Sequence, residues 1–313
     1  GSPYCSAKED FMDAVFVSEQ LNIPLEQVSF SKEYKENVFE YFLEELESGR
    51  TPNPDILCNK EIKFKEFYKY ALANNFDFIA TGHYVNTDHK NLYKGLDVTK
   101  DQSYFLHAID KEVLSQSLFP LGKVKKEKVR EIARSNNLIT SEKKDSTGIC
   151  FIGERPFPEF IGSYLKGEPG NIVDEGGDVI GTHPGLVFYT LGQRQGLGIG
   201  GIKGAADLPW YVAKKDLTNN ELMCVQGNDH PLLFSNELST KNLFLLDNKL
   251  PDSFDGTAKV RYRQRDQVCR IFIENDKLKI VFKEPQRSVT PGQSVVIYNK
   301  DKCLGGGEIK TIN

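Results

Sequence analysis

Cys58 lies where a cysteine side chain could be reactive. The sequence predicts a helix that starts just after it, at Asn59, and a loop before it, residues 51–58, that two prolines stiffen. A helix N-terminus carries partial positive charge, and Lys60 and Lys63 add more in the first predicted turn, which favours a thiolate. A buried cysteine at a helix start is the alternative, and the local pattern leaves both open.

Asp55 and Cys150 are two further candidates for chemistry. Asp55 lies three residues before Cys58 on the same loop, where a carboxylate could move a proton; its alternative role is a turn or a helix cap. Cys150 follows Asp145 in a glycine-containing loop, and a loop cysteine can swing between partners. The alternative for Cys150 is a surface or half-buried thiol without a chemical role.

Two other patterns bear on phosphate binding. Residues 196–201 match G-x-G-x-x-G, but no helix-forming segment follows, which favours a tightly turned loop over a dinucleotide site. Residues 259–265 are basic, and a strand there would place four cations on one face: Lys259, Arg261, Arg263 and Arg265. Such a row suits contacts to nucleic-acid phosphates, and an ordinary solvated strand face is the alternative.

The elements that must position these residues alternate in the first part of the chain. Apolar spacing predicts helices over residues 7–21, 31–48, 59–75 and 125–137, with a capping glycine at Gly49, and strands over 28–30 and 76–80. This rhythm predicts a parallel sheet with helices on its faces. Thr81, Gly82 and His83 follow the second strand, and ligands bind beyond the carboxyl ends of such strands.

The second half of the chain reads as β-structure. Beyond about residue 160 glycine becomes frequent and short β-branched runs lie between turns, including residues 185–191, 210–213 and 221–226. From about residue 231 alternating residues predict strands over 258–262, 268–273, 277–282 and 294–298. That pattern predicts a small β-barrel at the C-terminal end.

Composition limits the class of protein. The chain has 313 residues, 39% of them hydrophobic and 27% charged, which predicts two or three globular domains. A net charge of −4 excludes a globally basic nucleic-acid binder but not a local basic patch. Six scattered cysteines without a C-x-x-C pair predict a reduced cytoplasmic protein with no structural zinc site. The sequence has no apolar run long enough to predict a membrane span, and no pattern that predicts a secretion signal.

The motifs together resemble the bacterial and organellar tRNA-specific 2-thiouridylases, the MnmA family. The matching stretches run in order along nearly the whole chain: GRTPNPDILCNKEIKF, IATGHY, KDQSYFL, FPLGKVKKEKVR, KKDSTGICFIGER, GQRQGLGIGG, VRYRQ, EPQRSVTPGQSVV and CLGGGEI. Several are long and unusual, so chance does not explain the match.

The resemblance implies a fold of three parts. Residues 1–157 would form an α/β catalytic domain of the ATP-pyrophosphatase type, related to adenine nucleotide alpha hydrolases, with a parallel sheet. Residues 158–228 would form a small β-rich central domain, and residues 229–313 a C-terminal β-barrel with tRNA contacts. The family begins with a glycine-serine loop that grips ATP phosphates, and this chain matches the family only downstream of that loop, so the first domain is expected to be incomplete and not to activate ATP alone.

The resemblance also implies an activity, the ATP-dependent replacement of the 2-oxygen of the wobble uridine in tRNA by sulfur. By motif position Cys150 would carry a persulfide, Cys58 would be the partner thiol, and Asp55 the acid or base. Gly82 would contact the nucleotide. The expected tRNA contacts are Asn53, Pro54, Asp55, His83, Lys100, Asp101, Gln102, Arg261, Tyr262 and Gln293.

The expected co-substrates and partners follow from the same resemblance. They are ATP with magnesium, a persulfide sulfur donor, the tRNAs for Lys, Glu and Gln, and a sulfur-relay protein or cysteine desulfurase. Two alternatives stay open: a module that binds tRNA without catalysis, and a thiol-redox protein in which Cys58 and Cys150 form a simple disulfide.

Overall fold

The computed structural model describes residues 7–144, 156–200, 207–247 and 249–313. Cys150 lies outside these ranges, so the structure does not bear on its predicted role. The chain divides into two compact units. Unit 1 comprises Gly1–Phe39, Pro54–Pro156 and Asp301–Leu304, and unit 2 comprises Glu40–Asn53, Phe157–Lys300 and Gly305–Asn313. The three predicted domain boundaries stay a prediction.

Most helices lie in the first half of the chain. They are α1 (Ala7–Leu21), α2 (Ser31–Tyr34), α3 (Glu40–Glu47), α4 (Pro54–Leu57), α5 (Phe67–Ala73), α6 (Lys111–Ser115), α7 (Lys126–Ser135) and α8 (Phe157–Gly162). Two π-helical segments, Lys35–Phe39 and Cys58–Glu66, join α2 to α3 and α4 to α5. Single 3₁₀ turns occur at Ser103–Leu106, Ile139–Glu142, Leu186–Phe188 and Pro231–Leu233. Among the described helices none is both long and apolar enough to cross a membrane.

Several helix predictions are confirmed. Helix α1 has the predicted bounds, and the predicted helix over 31–48 is the run from α2 to α3. Gly49 ends that run as expected: it has a positive φ of 74°, and Arg50 donates its backbone N–H to the Glu45 carbonyl at 2.9 Å. The predicted helix start at Asn59 is wrong, because α4 begins at Pro54.

Strands dominate the second half. In chain order they are β1 (Ile79–Ala80), β2 (Val85–Thr87), β3 (Leu92–Lys94), β4 (Ser117–Leu118), β5 (Gly170–Val173), β6 (Val179–His183), β7 (Trp210–Asp216), β8 (Glu221–Gln226), β9 (Phe234–Thr240), β10 (Phe244–Leu245), β11 (Ser253–Lys259), β12 (Gln267–Glu274), β13 (Lys277–Arg287), β14 (Ser294–Asn299) and β15 (Lys302–Ile312). Residues 28–30 form no strand, so that prediction is wrong.

Unit 1 contains a parallel strand pair, as the alternating pattern predicts. Strand β1 pairs with β4 in parallel, with Ile79 opposite Ser117 and Ala80 opposite Leu118. The hairpin of β2 and β3 pairs with the first residues of β15. Fully buried Leu92, Tyr104 and Leu114 contribute to the core of this unit.

Unit 2 contains two sheets. A four-stranded sheet has the order β6-β5-β8-β7, and its core includes Ile172, Val212, Leu222 and Cys224. Six antiparallel strands, β14-β11-β12-β13-β9-β15, close into a barrel because β15 also pairs with β14. The predicted fold class is therefore confirmed: an α/β first part with a parallel sheet, a small β-rich central part and a C-terminal β-barrel.

Candidate functional site

The segment Asn53-Pro54-Asp55 forms the start of a helix. Pro54 is the first residue of α4, a position where its missing N–H removes no helical hydrogen bond and its fixed φ suits the helix. Asn53 precedes it, in the capping position that asparagine favours. Asp55 lies in the first turn, where the helix dipole stabilises a carboxylate. The two prolines therefore do not make residues 51–58 a loop, because Pro54 initiates the helix instead of preventing it.

Cys58 lies one turn inside this helix and not at its start. Its side chain is 1% exposed. It packs in an apolar group that we call the thiol cluster: Tyr34, Val38, Cys58 and Ile62, with Phe30, Phe39 and Leu57 against them. Lys60 pairs with Glu61 at 3.2 Å, which offsets part of its positive charge. The thiol is therefore buried among apolar side chains, and it must become exposed before it can react.

Asn59 links Cys58 to Asp55. Its side-chain amide donates a hydrogen bond to the Asp55 carbonyl at 2.9 Å. The residue is 4% exposed, and its Oδ1 has no hydrogen-bond partner. The π-helical segment begins at Cys58, and such segments are frequent at functional sites. Asn59 thus holds the turn that carries both candidate catalytic residues, a role that the sequence pattern did not single out.

Gly82 and His83 follow β1, and His83 contacts Phe64 of the π-helical segment that begins at Cys58. The Thr81 hydroxyl and His83 Nδ1 lie 2.9 Å apart, and the rings of Phe64 and His83 have centroids 5.6 Å apart. Burial, and secondarily the charge of Lys63, lowers the pKa of His83 to about 3, so the imidazole is neutral at physiological pH. His83 can exchange hydrogen bonds with a ligand but brings no positive charge to it.

The segment Lys100-Asp101-Gln102 divides between structural and exposed roles. Asp101 is buried, and its carboxylate accepts hydrogen bonds from the backbone of Gly95 and Ser103, both at 3.1 Å. The Gln102 side chain accepts one from the Tyr84 backbone at 2.9 Å. Both side chains therefore stabilise the segment, whereas Lys100 lines a surface cavity.

The basic stretch after β11 is not a strand. Strand β11 ends at Lys259, and residues 260–266 form a turn, so the predicted row of cations on one strand face is wrong. The turn forms because Gln264 folds back and accepts the Val260 N–H at 2.7 Å. Arg261 is exposed, yet its guanidinium also donates to the Ser288 carbonyl at 2.9 Å. Tyr262 lies beside Arg263, 5.7 Å from ring centroid to guanidinium.

Gln293 anchors the segment that leads to Asn53. Its side-chain amide donates to the Thr51 carbonyl at 2.6 Å, and the Thr51 N–H donates to the Pro291 carbonyl at 2.9 Å. Gly292 permits this approach, because a Cβ there would lie 2.7 Å from the Thr51 nitrogen. The Gln293 side chain thus bonds to the backbone of the same protein. Its predicted contact with tRNA stays a prediction.

A group of charges around the buried Glu45, which sequence reasoning missed, holds the same segment in unit 2. We call Tyr41, Glu45, Arg50, Lys241 and Glu308 the ion cluster. Arg50 donates two hydrogen bonds of 2.7 Å to Glu45, and Lys241 lies 3.2 Å from Glu45 and 2.7 Å from Glu308. The Tyr41 hydroxyl donates to Glu308 at 2.6 Å. The available signal was Glu45 itself, a charge between the apolar Phe42 and Leu46 on one helix.

The two carboxylates of the ion cluster have opposite pKa shifts. Burial, and then a hydrogen bond shared with Glu45, raises the pKa of Glu308 to about 7. Burial alone would also raise the pKa of Glu45, but the hydrogen bonds and charges of Arg50 and Lys241 outweigh it and lower that pKa to about 2. Glu45 is therefore the permanent anion that holds Arg50.

Two other described cysteines, Cys224 and Cys269, lie in surroundings that disfavour a thiolate. Burial raises the pKa of Cys224 and of Cys269 to about 12, so both remain protonated thiols. No disulfide joins two of the cysteines that the structure describes. Cys224 lies in the core of the four-stranded sheet, as an ordinary buried cysteine would.

Comparisons with known proteins match three successive parts of the chain to family models. Residues 1–154 match the tRNA methyl transferase HUP domain, residues 158–226 the tRNA methyl transferase PRC-barrel domain, and residues 235–309 the aminomethyltransferase beta-barrel domain. The chain is 53% identical over 313 residues to the tRNA-specific 2-thiouridylase MnmA of Francisella philomiragia subsp. philomiragia, covering 98% of this chain and 87% of that protein. It is 54% identical, with the same coverage, to the proteins of that name from Francisella tularensis subsp. holarctica and subsp. novicida.

Proposed function

Because this chain belongs to the tRNA-specific 2-thiouridylase family MnmA, we propose that it is a tRNA-uridine 2-sulfurtransferase. It replaces the 2-oxygen of the wobble uridine by sulfur. The observation that carries the proposal is the short helix start that places Asn53, Asp55 and Cys58 within six residues, in a chain matched over 98% of its length by proteins of that name.

The proposed reaction has three steps, each of which forms one bond and breaks another. ATP transfers its adenylyl group to the 2-oxygen of the uridine, and pyrophosphate leaves. The terminal sulfur of a persulfide on Cys150 attacks C2 of the base, and AMP leaves with the oxygen. Cys58 then attacks the sulfur of Cys150, so that a disulfide forms between the two cysteines and the transferred sulfur stays on the base. A thiol reductant must reduce this disulfide before the next turnover.

The residues of unit 1 fit these roles in different degrees. Gly82 fits a nucleotide contact, because it is exposed and a Cβ there would meet only Leu121, at 3.9 Å, which leaves its backbone open to a ligand. Asp55 is half-buried in a helix turn that Asn59 holds, which suits an acid or base of fixed position. Cys58 is 1% exposed, so the proposal requires the thiol cluster to open when the persulfide reacts.

The partners belong to the same proposal. The substrates are the tRNAs for Lys, Glu and Gln, together with ATP and its magnesium, and a sulfur-relay protein or cysteine desulfurase supplies the persulfide. The predicted cytoplasmic location is part of the proposal as well. Arg261 and Tyr262 lie in an exposed turn, where they can reach an RNA backbone or base.

Mass spectrometry of tRNA tests this function directly. The full protein is incubated with tRNA, ATP and a persulfide donor, and the wobble position is analysed for 2-thiouridine. We expect product with the wild type and with the Cys224→Ala control, and none with Cys58→Ala or Cys150→Ser. Intact wild-type protein that binds tRNA but yields no 2-thiouridine would favour the binding module, and indifference to tRNA would favour the thiol-redox protein.

A further inference from the structure

Helix α7 carries a stripe of cations beside the candidate site. Lys126, Arg130 and Arg134 recur at every fourth residue, so they lie on one face of the helix. With Lys100 they line a surface cavity of about 390 Å³, and Glu127 is the one carboxylate among its lining residues. All five residues belong to unit 1. The cavity is therefore strongly biased towards an anionic ligand.

The stripe does not stabilise the helix that carries it. Like charges four residues apart destabilise a helix, and a lysine in the first turn opposes the helix dipole. No residue of α7 is buried, so these side chains do not serve the core either. Arg134 has a partial counterion in Glu142 at 3.1 Å, but both side chains are more than half exposed, where such pairs contribute little. The Arg130 guanidinium donates to the Lys143 carbonyl at 3.4 Å, a long hydrogen bond to a neutral group that leaves the charge of Arg130 in place. The stripe therefore keeps a net positive charge that an anionic ligand can meet.

Asp97 preorganises the cavity. Its carboxylate accepts the N–H of Lys126, at 3.0 Å, and the hydroxyl of Thr99, at 2.7 Å. Its backbone carbonyl accepts the N–H of Lys100 at 2.9 Å. One residue thus fixes the start of α7 and the turn that carries Lys100, so the cations are placed before any ligand arrives.

The cavity continues from residues already assigned to the candidate site. Tyr84 directly follows His83, and its backbone N–H donates to Gln102 at 2.9 Å. The Lys126 ammonium lies 5.7 Å from the centroid of the Tyr84 ring. A chain of direct contacts therefore joins His83 to the cation stripe within unit 1.

We propose that this cavity binds the phosphodiester backbone of the tRNA, away from the target base. From Lys126 to Arg134 the stripe rises about 12 Å along the helix, which exceeds the size of one phosphate group and suits a run of them. Arginines in such a row hold phosphate oxygens through paired N–H donors. The inference rests on the proposed function, since it assumes that tRNA is the substrate, and it adds residues of α7 to the surface that holds it.

Salt-dependent tRNA binding tests the assignment with matched variants. The full protein is compared with Lys126→Gln, Arg130→Gln and the control Lys128→Gln, which removes an exposed lysine of the same helix that pairs with Glu131 and does not line the cavity. We expect each cavity variant to bind tRNA several-fold more weakly, with a salt slope that is lower by about 0.7–0.9 per lost phosphate contact. The Lys128→Gln slope and all melting temperatures should match the wild type.

Ethylation interference adds a readout that does not depend on overall charge. In this method, ethylation of a tRNA phosphate weakens binding where the protein contacts that phosphate. Phosphates that show this effect with the wild type but not with Arg130→Gln mark the part of the tRNA that lies in the cavity. If the salt slope of tRNA binding were unchanged in both cavity variants, or if Lys128→Gln lost as much affinity as they do, the cavity would not be the phosphate site. The proposed thiolation activity would not be affected by that result. A wild type that neither binds nor thiolates tRNA would instead refute the proposed function, and this inference with it.

Discussion

The thiol cluster and the ion cluster hold the two ends of one segment, residues 50–58, by opposite means. Cys58, at the end of the segment, is packed in a cluster of largely apolar side chains. Arg50, at its beginning, is held by two hydrogen bonds to Glu45, within a group that also contains Lys241 and Glu308. Apolar contacts have no preferred direction, whereas charged hydrogen bonds fix distance and angle.

The difference fits the proposed chemistry. A thiol that must become exposed during the reaction is best held by contacts that can be broken without leaving an unpaired charge behind. A segment that must present Asn53 to a base is best fixed by directional bonds, and Gln293 adds one at Thr51. We infer that the ion cluster fixes the part of the segment that lies in unit 2 and that the thiol cluster permits Cys58, in unit 1, to become exposed. The variants below test that contrast, beginning with the one of largest expected effect.

Placing a charge in the thiol cluster should be the most damaging change. Val38 is fully buried there, and Val38→Asp would desolvate a carboxylate without a partner. We expect a loss of about 4 kcal/mol or more in unfolding free energy, measured by urea denaturation followed by circular dichroism. The control Asn37→Asp adds the same charge at the exposed neighbouring position and should change stability by less than about 0.5 kcal/mol. A tolerated Val38→Asp would contradict the apolar character of the cluster.

Removing the central carboxylate of the ion cluster should have the next largest effect. Glu45→Ala leaves Arg50 and Lys241 without their shared anion, and breaking a buried pair in this way costs about 3–5 kcal/mol. Because Arg50 and Lys241 are about a third exposed, we expect about 2 kcal/mol. Urea unfolding can be followed by the fluorescence of Trp210, the single tryptophan, which lies in unit 2.

Two further variants separate lost charge pairing from a general effect of the substitution. Glu44→Ala removes an exposed carboxylate from the same helix and should be nearly neutral. The double variant Glu45→Met with Arg50→Met replaces the pair by apolar side chains and should recover most of the loss. If the double variant were as unstable as Glu45→Ala, unpaired charge would not be the cause.

The two clusters also differ in how far the sequence predicts them. The apolar spacing of Val38, Phe42 and Leu46 predicts the helices around the thiol cluster, because helical periodicity is a local signal. The ion cluster joins Glu45 to Lys241 and Glu308, about 200 and 260 positions away, and no local pattern encodes such a pairing. That these three charges meet could be learned only from the fold.

The start of the candidate helix shows a second limit of local rules. Two prolines in three residues predict a loop, yet Pro54 occupies the first helical position, where proline is favoured. The sequence alone does not distinguish a proline that ends structure from one that begins it. The basic turn after β11 also differs from its prediction as a strand, and for a related reason. The side chain of Gln264 bonds to the Val260 backbone and ends the strand.

Raising the pH should weaken unit 2 through Glu308 and leave a Glu308→Gln variant less affected. The pKa of Glu308 is raised to about 7 in the folded state, chiefly by burial, so between about pH 4.5 and 7 the unfolded chain has lost a proton that the folded protein keeps. Stability then falls as pH rises through this window, by at most about 1.4 kcal/mol per pH unit for one proton. The urea midpoint reported by Trp210 at pH 5, 6 and 7 measures the slope in both proteins.

Unit 1 should respond to pH in the opposite direction. Burial lowers the pKa of His83 to about 3 and that of His107 to about 4, so below about pH 6.5 the unfolded chain binds protons that the folded protein does not. Stability of this unit is therefore lost as pH falls from about 6.5 towards these values. Hydrogen exchange of peptides from each unit, corrected for the intrinsic rate at each pH, distinguishes the two responses. A unit 1 that is not weakened as pH falls through this range would contradict the assignment of these histidines.

Among the test variants, controls aside, the smallest expected change in stability is that of Cys58→Ala. The substitution removes one buried sulfur from the thiol cluster, which should cost about 1 kcal/mol because the cavity left behind is small and its apolar walls can close on it. Cys224→Ala is the matched control: it removes an equally buried thiol from the apolar core of the four-stranded sheet and should cost about the same. Equal melting temperatures with loss of thiolation only in Cys58→Ala would separate the chemical role of Cys58 from its packing. If Cys58→Ala were much less stable than Cys224→Ala, the thiol cluster would be a rigid core, and the inference that it opens to release the thiol would fail.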